Sequence, residues 1–154
     1  MITNKLTQEV KETLRSNLCY LATASEDGKP NVVPVGLVEP LGESEILMVD
    51  VLFNKTRRNL EKNPQAALAV TDVRRLRGFQ VKGKTKMVST GELFESACQL
   101  AKEKRERRDK NLEERLKQEK DEAIRKRIER LLKLRFKPKA AVILKVEEVY
   151  STIP

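Results

Sequence analysis

Short apolar runs cut by turn signals fill most of the first ninety residues and decide what this chain can become. Residues 18–24 and 31–38 are two such runs. They are joined by Ser25-Glu26-Asp27-Gly28-Lys29-Pro30, whose Asp-Gly pair signals a hairpin, so the runs are expected to pair antiparallel. Residues 42–44 make another turn, and 45–51 read as a third strand. Residues 65–71 and 78–89 supply two more, on either side of a basic loop over 72–77, and 140–149 supply the last. Six short strands with small helices between them indicate a mainly β fold, a small antiparallel barrel and not a parallel α/β sheet. Closing the sheet also abolishes exposed edges.

Elsewhere the period changes. Leu6, Val10 and Leu14 recur every four residues after the N-cap candidates Thr3 and Asn4, which predicts an amphipathic helix over 5–16. Residues 55–62 read as a short helix with Leu60 as its apolar contact, stopped by Asn63-Pro64. From 92 to 134 there is almost no breaker, and charged helix formers dominate. Phe94, Ala97, Cys98 and Ala101 share one face, 102–111 hold no large apolar residue, and a second stripe runs from Leu112 to Leu132. Two helices, or one arm with a solvated middle, are expected, ended by Pro138.

At 154 residues the chain is the size of one domain, here 1–154 with a helical insertion over about 92–137. Its formal charge of +9 invites a nucleic-acid reading. The distribution argues against one: 102–139 hold 17 Lys or Arg against 9 Asp or Glu, which leaves 15 against 14 for the rest. With no histidine, general acid–base chemistry lacks its commonest carrier, and a zinc site has too few soft ligands, so no metal is assigned. Cys19 sits in an apolar run and is expected to be a buried, inert thiol. Met1-Ile2-Thr3-Asn4-Lys5 has no signal-peptide core and no segment has the apolar length to span a bilayer, so a cytoplasmic location is expected.

The segment that carries chemistry is Asn54-Lys55-Thr56-Arg57-Arg58, which puts three cations and a hydroxyl at the start of a helix. Unsatisfied N–H groups there already favour an anion, Lys55 adds a point charge, and Thr56 adds a donor. Phosphate is the natural ligand, although a solvated helix start would look the same in isolation.

Order along the chain adds to this. Residues 21–30, Pro34-Val35-Gly36, Phe53-Asn54-Lys55-Thr56 with Leu60 and Asn63-Pro64, Gly78-Phe79-Gln80-Val81-Lys82-Gly83 and the closing strand together resemble the split-barrel FMN-binding family related to pyridoxamine 5′-phosphate oxidase, especially its small dimeric members. The resemblance implies a six-stranded split β-barrel, a homodimer, and FMN near the subunit interface. It implies that the backbone at Val33, Pro34 and Val35 passes the flavin ring. By the same resemblance Asp50, Val51, Leu52, Asn54, Lys55 and Thr56 meet the ribityl chain and phosphate, and Gln80 faces the flavin. A deazaflavin is the alternative cofactor.

The oxidase's C-terminal Arg- and His-containing signature is missing, since the chain ends Tyr150-Ser151-Thr152-Ile153-Pro154, so that activity itself is not expected. A flavin reductase, oxidase or electron carrier is, and no catalytic residue is assigned. The long charged insertion departs from the small family members. It reads as an arm packing on the barrel or a partner subunit, or as a docking site for an acidic redox protein. A rival reading makes the whole chain a non-enzymatic module whose arm contacts RNA or an acidic protein.

Overall fold

The computed structural model describes residues 2–153. Met1 and Pro154, the ends of the two terminal stretches quoted above, lie outside the described residues. The elements in chain order are α1 (Gln8–Ser16), β1 (Cys19–Ala24), β2 (Pro30–Val35), β3 (Val38–Leu41), β4 (Glu45–Asp50), α2 (Asn54–Lys62), β5 (Gln65–Asp72), β6 (Arg77–Val88), α3 (Glu92–Gln118), α4 (Glu122–Lys133) and β7 (Ala140–Ser151). All strand pairs are antiparallel, in the order β2-β1-β5-β6-β7-β4-β3.

The sheet has seven strands where six were expected. The apolar run over 31–38 is two strands, because its first part pairs with β1 and its continuation with β4. That split also reveals the shape. Laid flat, seven strands would hold β2 and β3 about 29 Å apart, yet only Gly36 and Leu37 join them, a span of at most about 11 Å. The sheet must curl until its two end strands nearly meet.

Curling encloses one core and leaves an outer face. Leu21, Leu68, Val81 and Val149 form one inward row across β1, β5, β6 and β7, joined by Ile46 and Met48 of β4 and capped by Leu6, Val10 and Leu14. Each such side chain contributes roughly 1.5–3 kcal/mol by leaving water. Leu47, Val49, Ala141 and Ile143 point the other way and are covered by Ala97 of α3. Burial on both faces explains why 46–49 is an unbroken apolar run, whereas β1 alternates because its outer face is uncovered.

Three boundaries differ from expectation. α1 starts at Thr7, whose hydroxyl accepts from Val10 N at 3.3 Å, because Thr3 is engaged in a β-bridge to Val149. The helical insertion breaks at 119–121, where Asp121 caps α4 by accepting from Ala123 N and Ile124 N, and not over 102–111. Beyond the turn at Pro138, β7 extends to Ser151. No described helix is long and apolar enough to cross a membrane.

Candidate functional site

Asp50 builds the junction between β4 and α2. Its side chain is fully buried; Oδ1 accepts from Phe53 N at 3.0 Å, and Oδ2 accepts from Arg57 Nε at 2.6 Å. Arg57 Nη2 lies 2.6 Å from the same Oδ2, close enough for an ion pair but off the line of a hydrogen bond, so that buried nitrogen has no acceptor. The carboxylate therefore fixes the first turn of α2 and faces inward.

The N-terminus of α2 has no side-chain cap and no acid in its first turn. Its leading N–H groups keep their partial positive charge, and exposed Asn54 and Lys55 stand beside them. Asn54 has φ +21°, outside the usual range for a side-chain-bearing residue and tolerated best by asparagine. Thr56 faces the other way and is fully buried. Its hydroxyl accepts from Asn31 Nδ2 at 3.0 Å, while Asn59 Nδ2 donates to Thr23 Oγ1 at 3.1 Å. This polar cluster seats α2 beside β1 and the edge strand β2.

On β2 the side chains divide. Val35 is in the core and Val33 packs against it, whereas Val32 and Pro34 face outward and are exposed. Pro34 pairs with Tyr20, and an edge strand accommodates a residue without an N–H. Gln80 lies on the same outer row, which runs Pro34, Tyr20, Ala69, Gln80, Tyr150, three strands or about 14 Å from Pro34. Its Oε1 accepts from the Tyr150 hydroxyl. Beside it Lys82 Nζ sits 3.3 Å from Glu148 and 5.1 Å from the Tyr150 ring centre, and the hydrogen bond to Glu148 raises the lysine's pKa. Val51 is half-buried in the outer cluster and Leu52 is 57% exposed.

The structure thus gathers Leu52, Asn54 and Lys55 at the open end of α2, next to β2. Asp50 and Thr56 stand behind them, Val33 and Val35 point into the core, and Gln80 lies farther round the outer face. Sequence reasoning passed over Asn31, Thr23 and Asn59. The one signal for them was Thr23, a polar residue at an inward position of an alternating strand. Cys19 is buried, and burial pushes its thiol up to about 12. Among the described residues no group of three or more Cys, Asp or Glu side chains is placed to hold a metal ion.

A family model described as pyridoxamine 5′-phosphate oxidase matches residues 6–152. The chain belongs to the pyridoxamine 5′-phosphate oxidase family. An uncharacterized protein of Methanocaldococcus jannaschii is 28% identical over 149 residues, covering 96% of this chain and 80% of its own. A crystal structure of a candidate pyridoxamine 5′-phosphate oxidase from Lactobacillus delbrueckii superposes with a TM-score of 0.62 at 26% identity, covering 96% of this chain and 95% of that one. An FMN-binding protein from Syntrophomonas wolfei gives a TM-score of 0.65 at 16% identity, covering 96% and 88%. The same fold is shared by an F420 reductase (TM-score 0.56, 15% identical) and by HutZ, the heme storage protein of Vibrio cholerae (TM-score 0.53, 22% identical).

Proposed function

We propose that this member of the oxidase family is a homodimeric FMN-binding redox protein whose flavin phosphate sits at the N-terminus of α2. The observation that carries the reading is the uncapped helix end, with no acid in its first turn, flanked by exposed Lys55. Those groups fit a dianionic phosphate, which would replace water at the free N–H groups and meet Lys55 directly. Asn54 borders the same anion, and Asp50 and Thr56 hold the helix that presents it. The ring would lie along the outer edge of β2 near Pro34, whose missing N–H leaves that edge without a donor.

Bound FMN supplies one- and two-electron chemistry that no side chain of this chain can. The protein's part is to bind the phosphate, orient the ring and exclude water. Leu18, Tyr20 and Val32, exposed by 50%, 47% and 63%, lie on the uncovered outer face and give a second subunit an apolar surface to cover, as the homodimer requires.

The likeness to HutZ raises heme as a rival ligand. The chain has no histidine, the commonest axial ligand, and the uncapped end of α2 with exposed Lys55 suits an anion. The likeness to the F420 reductase keeps a deazaflavin as the alternative within the flavin reading. Purified protein should be yellow with the absorption of bound FMN; a colourless preparation whose addition leaves FMN fluorescence unquenched rules the proposal out, and a deazaflavin or heme spectrum reassigns the cofactor.

A further inference from the structure

The inward face of α3 changes character along its length. Ala97 and Ala101 meet the sheet, then Lys104, Arg105 and Arg108 follow on the same face, then Leu112. A helix that merely solvates its cations turns them outward. Here Lys104, Arg105 and Arg108 are half-buried, and with the exposed Lys102 and Arg107 they line a cleft of about 840 Å³. Its lining is otherwise largely apolar, with Leu37, Val51, Leu134, Phe136 and Pro138. The volume is that of a small-molecule site.

The cleft's charge is only partly compensated. No Asp or Glu lines it. Arg108 pairs with Asp109 and Arg15 with Glu39, but Lys102, Arg105 and Arg107 have no carboxylate partner among the described residues. Lys104 has a different task. Its Nζ donates to Gly36 O at 3.3 Å and Val38 O at 3.1 Å, tying α3 to the link between β2 and β3, and burial lowers its pKa.

We propose that this cleft binds a nucleoside diphosphate, with its phosphates against Lys102 and Arg105, neighbours at i and i+3 on α3, and its base on the apolar lining at Phe136. Two adjacent cations without carboxylate partners offset most of the two to three negative charges of a diphosphate. Inorganic phosphate alone would leave the apolar lining unused, and a nucleoside alone would leave the cations unpaired. The cleft takes only Val51 from the residues assigned to FMN and is a separate site, so the inference stands whether or not flavin binds.

Calorimetric titration of the full chain with ADP, adenosine and pyrophosphate tests it. ADP should bind at least tenfold tighter than either fragment. Arg105→Ala should weaken ADP at least tenfold and Arg105→Lys much less, while Lys110→Ala, on an exposed position of the same helix, should leave ADP binding unchanged. Pyrophosphate binding as tightly as ADP overturns the nucleoside assignment, and equal losses in Arg105→Ala and Lys110→Ala reduce the effect to diffuse charge and overturn the site. ADP should also slow alkylation of Cys98, which lines the cleft, by iodoacetamide in the wild-type protein. Absence of protection, or displacement of ADP by FMN one for one, overturns the proposal of a separate nucleotide cleft.

Discussion

Asn31 on β2 and Thr56 on α2 are joined by a 3.0 Å hydrogen bond from the asparagine amide to the threonine hydroxyl. The bond ties the first turn of α2 to the sheet's edge strand, so the helix N-terminus and the outer side of β2 hold one fixed relation. In the proposed FMN complex this would set the phosphate at the one and the flavin ring along the other at a defined separation. Asn31→Ala leaves the buried Thr56 hydroxyl without this partner and should cost about 1–3 kcal/mol in urea unfolding. FMN should weaken in the same variant although Asn31 is assigned to neither phosphate nor ring; unchanged stability and unchanged binding would mean the bond does not position the helix.

The Asp50–Arg57 pair predicts a second effect. Asp50→Asn keeps the shape but removes the charge that receives Arg57 and weakens the acceptor for Phe53 N. A loss of about 1.5–3 kcal/mol is expected, the range for hydrogen bonds to charged groups, and high salt should recover little of it because the carboxylate is fully buried.

Gly83 marks a β-bulge against β7, and a Cβ there would lie 1.8 Å from Lys145 O. Backbone cannot move aside as a flexible side chain can. Gly83→Ala should therefore destabilise the protein by about 1–3 kcal/mol or more, read as a lower midpoint in denaturant. Gly36→Ala meets nothing within 4 Å and is the control, expected near neutrality.

Asp72 closes the hairpin between β5 and β6. Burial alone would raise its pKa, but N–H donors from Arg75 and Arg74 and the Arg75 charge outweigh burial and lower it. A depressed carboxylate pKa stabilises the fold above the unfolded value, about 3.9, and that stability is lost as pH falls through the folded value. The stability difference between wild type and Asp72→Asn should thus be constant from neutrality to about pH 5 and shrink below about pH 4. A difference that grows on acidification would contradict the assignment.

How much of this lay open in the sequence depends on what each residue answers to. Alternation in β1 and the Asp27-Gly28 turn report purely local preferences, and the first hairpin follows from them. The break at Gly36 and Leu37 leaves no mark in apolarity, because the chain there exchanges one end of the sheet for the other while both strands stay apolar. Asp121 is a good N-cap hidden in a run of charges, so the sequence left open two helices or one arm with a solvated middle, marked only by the loss of apolar residues over 102–111. They disappear there because most of that stretch faces solvent, while its half-buried Lys104, Arg105 and Arg108 line a cleft. At the candidate site, the cations of α2 were visible, but the inward turn of Asp50 and Thr56 depends on partners 7 and 25 residues away in sequence.

The central claim is that the open end of α2 holds the flavin's phosphate. Its most direct measurement is paired titration of wild type and Lys55→Ala with FMN and with riboflavin, followed by fluorescence quenching. Lys55 is exposed and makes no ion pair among the described residues, so its removal should leave the fold intact. The account predicts that FMN binding falls about tenfold or more, the scale of one charge-assisted contact, while riboflavin binding is unchanged. Equal losses for the two ligands, or none for FMN, would contradict it.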